Sequence, residues 1–162
     1  MIFQMPGESF DPRRTIGACI TDIQRNFGAS RKGAKARTLE YLDKVGLDAS
    51  FYQKYPHQMS GGECQRAAIA RAFAVAPKVV ICDEITSSLD VSVQAQVVEL
   101  LQELREQTHI SLLFISHDLG LVQGLCDRIM VMEKEESWKR GRPGRSFTIH
   151  RIRIPGSSLP PF

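Results

Sequence analysis

Two adjacent carboxylates close the apolar run Val79-Val80-Ile81-Cys82-Asp83-Glu84. An acidic residue at the end of a buried strand can hold Mg²⁺ directly or through water, and a second can polarise an attacking water. Together they form the layout that phosphoryl transfer requires. The same hexapeptide also reads as a strand whose Asp and Glu merely open a loop. A second apolar run, Ser111 to Ile115, ends in Ser116-His117-Asp118. A histidine there can reach a terminal phosphate or the attacking water; a surface or helix-capping histidine is the other reading. Ser60-Gly61-Gly62-Glu63 just precedes a helical pattern. Two glycines let a phosphate approach the backbone, and the helix N-terminus presents unpaired N–H groups and a partial positive charge. Ser-x-x-Glu is equally a capping box, although a capping box requires neither glycine. Ser87-Ser88-Leu89-Asp90 can likewise be an N-cap for a helix starting at Val91.

The elements that must position these residues follow from pattern. Met1 to Gln4 reads as a strand, and Pro6 to Arg14 as a loop rich in Pro, Gly and charge. Thr15 to Tyr55 is helical in pattern, most clearly over Ala34–Val45, and is broken at Gly46 and before Pro56. A helix is predicted from about Gly62 to Val75, closed by Pro77. Lys78 to Cys82 is a β-branched apolar run of the kind buried on both faces of a parallel sheet. Val91 to Gln107 has Val93, Val97, Leu100, Leu101 and Leu104 at helical spacing, and Ser111 to Ile115 is the next strand. Leu119 to Leu125 predicts a short helix and Asp127 to Met132 a further strand. This alternation is the rhythm of a doubly wound α/β domain, whose ligands bind beyond the carboxyl ends of the strands.

A chain of 162 residues, 43% apolar and 24% charged, is one domain's worth of ordinary globular composition, which excludes disordered and fibrous classes. Four cysteines (Cys19, Cys64, Cys82 and Cys126) form no C-x-x-C pair, and no secretory signal is read at the start, so reduced thiols in the cytosol are expected. No apolar run approaches the length of about 20 residues that a bilayer requires, so a membrane role must pass through a partner. The net charge of +3 is unevenly placed. The 26 residues from Ser137 hold six of the 21 Lys and Arg and none of the 18 Asp and Glu, leaving the tail at +6 and the preceding 136 residues at −3. A nucleic-acid-binding protein needs its positive charge on the folded face, and no nucleic-acid partner is expected.

Taken in order, Gln4 after an apolar strand, Ser60-Gly61-Gly62-Glu63-Cys64-Gln65-Arg66, Asp83-Glu84, Ser88-Leu89-Asp90 and Ser116-His117-Asp118 resemble the ATP-binding-cassette ATPases from Met1 to about Lys134. The resemblance implies an α/β fold: a partial P-loop nucleotide hydrolase-like parallel sheet with an inserted helical subdomain, residues 15–60. It implies ATP and Mg²⁺ as cofactors. It makes Gln4 the sensor of the γ-phosphate, coupled to the membrane subunit, and Ser60, Gly61, Gly62 and Glu63 the signature that clasps ATP held by the opposing subunit. Asp83 becomes the metal carboxylate, Glu84 the general base, Asp90 a residue of the dimer interface and His117 the switch histidine. Phe10 to Gly17, Tyr55 to Met59 and Leu89 to Gln96 look like the ATPase subunits of bacterial importers for peptides, nickel and related small solutes. The partners so implied are a second ATPase subunit, two transmembrane permease subunits and, indirectly, a solute-binding protein, with the chain peripheral to the inner face of the cell membrane. A soluble cassette ATPase outside transport and a non-functional broken-frame product are the alternatives.

Three departures from the family pattern matter. Glu63 stands where the family usually has Gln, and Ile85 where Pro commonly follows the base. No G-x-x-x-x-G-K-[ST] occurs, so the phosphate cradle, its Lys and its Mg²⁺ hydroxyl are missing. In the family that loop lies upstream of the glutamine strand. The expectation is therefore the C-terminal part of an ATPase subunit, residues 1–134, with Met1 an internal methionine read as a start and hydrolysis absent in the chain alone. Residues 135–162 are expected to be an aberrant, disordered basic tail read in a shifted frame. Glu135 to Gly141 can be written GAA GAA TCG TGG AAG AGG GGC, and from its third base this reads Arg-Ile-Val-Glu-Glu-Gly, the pattern with which the peptide importers continue. A genuine basic tail is the rival reading, and sequencing the locus separates the two.

Overall fold

The computed structural model describes residues 1–87, 89–133 and 136–141, and the chain divides into two compact units, Met1–Leu119 and Gly120 onward. In the first unit α1 (Ile16–Asn26) and α2 (Arg31–Lys44) are followed by 3-10 turns at Ala49–Gln53 and Pro56–Gln58, then α3 (Gly61–Phe73), β1 (Val79–Asp83), α4 (Val91–Thr108) and β2 (Ser111–Ile115). Each long helix begins at a side-chain cap. Thr15, Ser30, Ser60 and Asp90 accept from the backbone N–H of Ala18, Gly33, Glu63 and Val93, satisfying donors that a helix start leaves unpaired.

β1 and β2 pair in parallel, from Val79 beside Ser111 to Asp83 beside Ile115. On the other edge of β1, Ile2 forms a parallel bridge to Cys82. Its N–H donates to the Ile81 carbonyl at 2.8 Å, and its own carbonyl accepts from Asp83 at 3.1 Å. The strand expected over Met1–Gln4 shrinks to this bridge because the chain bends at Gln4 into the 3-10 turn Pro6–Ser9, whose proline has no N–H for a ladder. Burial of β1 is one-sided as well. Val80 and Cys82 are in the core, Ile81 is half-buried and Val79 is 55% exposed. Leu113 and Ile115 of β2 are 52% and 45% exposed.

The helical segment 15–60 is held by a polar seam as well as by Ile16, Ile20, Leu42 and Phe51. Gln24 Nε2 donates to Thr38 Oγ1 at 2.7 Å and to the Ala34 carbonyl at 3.2 Å, while Thr21 Oγ1 lies 3.1 Å from both Thr38 Oγ1 and the Tyr52 hydroxyl. The face of α2 turned inward is thus Ala34, Thr38, Tyr41 and Leu42, with Leu39 only half-buried. Gly17 lets Tyr52 lie flat on α1: a Cβ there would fall 2.3–2.6 Å from three carbons of the ring.

The second unit holds most of α5 (Leu119–Leu125), with β3 (Ile129–Glu133) and β4 (Glu136–Gly141). β3, expected to continue the parallel rhythm, pairs antiparallel with β4 through a two-residue connection. So short a link permits only a hairpin, since parallel strands need a crossover of a dozen or more residues. Residues 136–141, expected in a disordered tail, therefore form a strand. The ladder uses backbone N–H and C=O groups, which any sequence other than proline supplies. The rest of that expectation, residues 142–162, lies outside the described residues.

Candidate functional site

Three chain segments converge on the carboxyl edge of the small sheet. The bridge at Ile2 carries Gln4 past that edge, β1 ends at Asp83, and β2 leads to Ser116 and His117. Glu84 is the first residue beyond β1. Its N–H donates to the Ile115 carbonyl at 3.0 Å, and its carbonyl accepts from the Ser87 N–H at 3.1 Å and the Ser87 hydroxyl at 2.9 Å. These bonds hold Glu84 at φ 46°, a left-handed conformation in which a non-glycine residue is strained. Ile85, fully buried, anchors the next position. The Pro common there would push the residue before it toward the extended region, so the departure at Ile85 removes that restriction on Glu84. The outcome is a carboxylate with one oxygen 3.3 Å from His117 Nδ1, the His side chain 73% exposed and the Glu side chain 35%. Strain of this kind, overdetermined by hydrogen bonds, is characteristic of reactive sites.

Asp83 is half-buried and makes no ion pair among the described residues. No cluster of three metal-ligating side chains occurs among the described residues. Asp83 with Glu84 beside it is the kind of donor set that Mg²⁺ takes, one or two carboxylates completed by waters and substrate phosphates.

The remaining predicted residues gather elsewhere, where α3 and α4 begin. Ser60 Oγ accepts from the Glu63 N–H at 3.3 Å, and a Glu63 carboxylate oxygen accepts from the Ser60 N–H at 2.7 Å. The capping box is therefore formed. Gly61 is open, and a Cβ on Gly62 would lie 3.3 Å from Val93 Cγ1, so the second glycine eases the approach of α3 to the first turn of α4. That turn is capped by Asp90, whose Oδ1 accepts from Val93 N at 3.0 Å and Ser92 Oγ at 2.7 Å. Arg66 joins the helices further along, donating to Gln96 Oε1 at 2.8 Å and to the Val45 carbonyl at the end of α2 at 3.0 Å. The structure thus sorts the sequence-derived residues into two groups: Gln4, Asp83, Glu84 and His117 at the sheet edge, and Ser60, Gly61, Gly62, Glu63 and Asp90 at the helix starts. Ser88 lies outside the described residues.

The bond from the Ser60 N–H holds the Glu63 carboxyl below the ordinary range for glutamate. Its contribution to capping α3 is complete above the unfolded-state value near 4.3 and is lost as pH falls through the lower folded-state value. Acidification below about pH 4 is therefore expected to lower the protection of the Ser60 amide, its exchange taken relative to the random-coil rate at the same pH, and Glu63→Gln to remove that acid limb.

A match to the ABC transporter family model spans residues 1–87, more than half of the chain. This chain belongs to the ABC transporter family. The oligopeptide transport ATP-binding protein OppF of Salmonella typhimurium is 48% identical over 134 residues, which are 82% of this chain and 40% of that protein. The dipeptide transport ATP-binding protein DppF of Haemophilus influenzae is 41% identical over 149 residues, 91% of this chain and 46% of its own. Among solved structures, cbiO1 of Clostridium perfringens, part of the ABC transporter complex cbiONQ, superposes with a TM-score of 0.79 at 26% identity, over 88% of this chain and 56% of that one. The ATP-binding cassette MJ0796, a dimer in a post-hydrolysis state with ADP and Pi, gives 0.73 at 27%, over 90% and 63%. The α/β class expected for this ABC chain holds, and the chain spans about two fifths of the length of the curated relatives named here. No helix among the described residues is long and apolar enough to cross a membrane.

Residues that pattern reading did not single out include Arg71, Tyr52 and the Thr21–Gln24–Thr38 seam; Gly17 entered only as the end of the stretch from Phe10, with no contact to Tyr52 foreseen. Their partners lie 10 to 62 positions away in the chain, and no local spacing announces them.

Proposed function

We propose that this chain is part of the ATP-hydrolysing subunit of a bacterial importer for peptides, nickel or related small solutes. The observation that carries the reading is the 3.3 Å contact between Glu84 and His117 on the edge that also bears Asp83 and Gln4. Glu84 acts as the base for the attacking water, and His117 holds that carboxylate and faces the terminal phosphate. Gln4 would contact the γ-phosphate side, and Asp83 would hold Mg²⁺, whose charge would offset that developing on the phosphate. Neither residue group is a complete site alone. One supplies a base and a metal carboxylate, the other a glycine-opened helix start bearing Ser60, so a head-to-tail pair of subunits would complete each with the other. The relatives named for oligopeptide and dipeptide transport support the solute class. Two permease subunits and a solute-binding protein are the further partners, with the ATPase at the cytoplasmic face of the membrane.

The chain by itself is expected not to hydrolyse ATP, because it has no G-x-x-x-x-G-K-[ST] to hold the phosphates that Asp83 and Glu84 would act upon. Fusion to an upstream segment carrying that loop should create Mg²⁺-dependent turnover. Turnover by the chain alone, or none in the fusion, would refute the assignment.

The permease contact is assigned to residues 10–16 and the helical segment after them. Arg14 pairs with Asp22, which Arg25 also approaches at 3.6 Å, and with Arg31 these residues line a cavity of about 540 Å³. Two guanidinium groups share the Asp22 carboxylate and a third, that of Arg31, lines the same recess, which leaves it cationic and suited to an acidic side chain of the permease. In the fused subunit assembled with its permeases, Arg13→Glu with Arg14→Glu should lower solute uptake at least tenfold and leave basal ATP turnover within twofold, like-charge contacts at an interface costing several kcal/mol. Unchanged uptake would mark the recess as a solvated basic surface.

A further inference from the structure

Arg71, in the last turn of α3, spends its guanidinium on the segment that follows Gln4. One nitrogen donates to the Ser9 carbonyl and another to Ser9 Oγ at 2.7 Å, while the guanidinium carbon lies 4.4 Å from the centroid of the Phe10 ring, itself 3% exposed. Burial draws the guanidinium pKa down, and no carboxylate pairs with it among the described residues. Its desolvation is offset by a carbonyl, a hydroxyl and an aromatic face.

Pro6 and Phe10 are buried, and Arg71 adds the polar hold on the segment between them. Within the turn, Ser9 Oγ donates to the Pro6 carbonyl at 2.6 Å, but the closing backbone bond from Phe10 N to Gly7 O is long, at 3.4 Å, and Gly7 and Glu8 are exposed. The placement of Ser9 and Phe10 is set by that burial together with the guanidinium at the C-terminal end of α3. The opposite end of this unbroken 13-residue helix is the Ser60–Glu63 cap, roughly 20 Å away at 1.5 Å per residue. Between the two ends Ala67, Ala68, Ile69, Ala70 and Phe73 are buried, so α3 behaves as a stiff rod in a packed core.

We propose that Arg71 is a positioning residue that couples the two ends of α3, so that occupancy of the Ser60–Glu63 end restrains Pro6–Phe10, and displacement of Pro6–Phe10 is felt at that end. This rests on the proposed function, which puts a nucleotide phosphate at one end and the permease at the other. Coupling by a rigid element is reciprocal. It fails if the pin at either end is loosened.

The test is amide hydrogen exchange in two arms. In the chain alone, without nucleotide, Arg71→Lys keeps the charge but loses the two-pronged donor; exchange at Gly7–Phe10 should rise about tenfold, with Ala67–Ala70 unchanged. Ser9→Ala, a milder change, should give a smaller rise. The double variant should exceed Arg71→Lys little, as expected for groups sharing one contact. In the subunit fused to its phosphate-loop segment, a non-hydrolysable ATP analogue with Mg²⁺ should slow exchange at both Gly61–Cys64 and Gly7–Phe10. In Arg71→Lys the first effect should persist, and the second should fall at least fivefold, the lower range of measured couplings. Equal protection of both segments in the variant overturns the proposal, as does unchanged exchange at Gly7–Phe10 without nucleotide. Absence of protection at Gly61–Cys64 in the unsubstituted fusion overturns the proposed function, and with it the transmission. The nucleotide-free arm still decides whether Arg71 holds the segment.

Discussion

In the fused, catalytically competent subunit, Glu84→Gln is expected to lower steady-state ATP turnover by about 10²–10⁴-fold, the range for loss of a positioned general base, while ATP binding persists. Gln is nearly isosteric with Glu, and the backbone bonds from Glu84 to Ile115 and Ser87 do not involve the side chain, so the loop geometry survives the change. What is lost is the capacity to accept a proton from water. His117 Nδ1, 3.3 Å away, would then face an amide in place of a carboxylate. His117→Ala removes the group that orients Glu84 and leaves the base itself, so its loss of rate should be smaller. Phosphate release under saturating ATP, together with equilibrium binding of a fluorescent ATP analogue, checks both statements. Equal turnover in Glu84→Gln and the parent would mean that the base lies elsewhere.

Gly17→Ala is expected to destabilise the helical segment by about 2 kcal/mol, the middle of the range for overpacking a filled site. Replacing a helical glycine by alanine ordinarily gains about 1 kcal/mol, so the sign of the effect is itself diagnostic. Here the added Cβ would fall 2.3 Å from Tyr52 Cγ, at the base of the ring, where rotation of the side chain brings little relief. The Tyr52 hydroxyl is also bonded to Thr21, so displacing the ring breaks into the seam that joins α1 to α2. Thermal unfolding should show a midpoint lower by roughly 4–8 °C. Gly124→Ala, where a Cβ would meet nothing within 4 Å in α5, is the matched control and should be neutral or stabilising. Adding Tyr52→Ala to Gly17→Ala should cost less than the two changes summed, because the ring that clashes is gone. A Gly17→Ala protein as stable as the parent would show that Tyr52 is free to move off the helix.

Local chemistry was legible in the sequence. The capping box at Ser60 and Glu63 and the N-cap at Asp90 each close over three residues, so residue types at fixed short spacing suffice to specify them. β2 and α5 fall at the boundaries that pattern reading places them, and β1 lies one residue further along than the expected Lys78 to Cys82. The order of short motifs also carried the family, because each was already a recognisable fragment. Tertiary structure decided which of these fragments meet. The contact between Glu84 and His117 spans 33 positions, and that between Arg71 and Ser9 spans 62. Such pairs exist only because the parallel register of β1 and β2, and the packing of α3 on the Pro6–Ser9 turn, outweigh the entropy of closing long loops. The polar seam of Thr21, Gln24 and Thr38 was invisible for the same reason: residues typical of a solvated face become core once their partners arrive from another helix. Asp83 and Glu84 could be picked out as acidic residues after a strand from sequence alone. That Glu84 is held in a strained left-handed turn toward a histidine depends on the bond its N–H donates to the Ile115 carbonyl and on those it accepts from Ser87, and only the folded chain supplies the first of them.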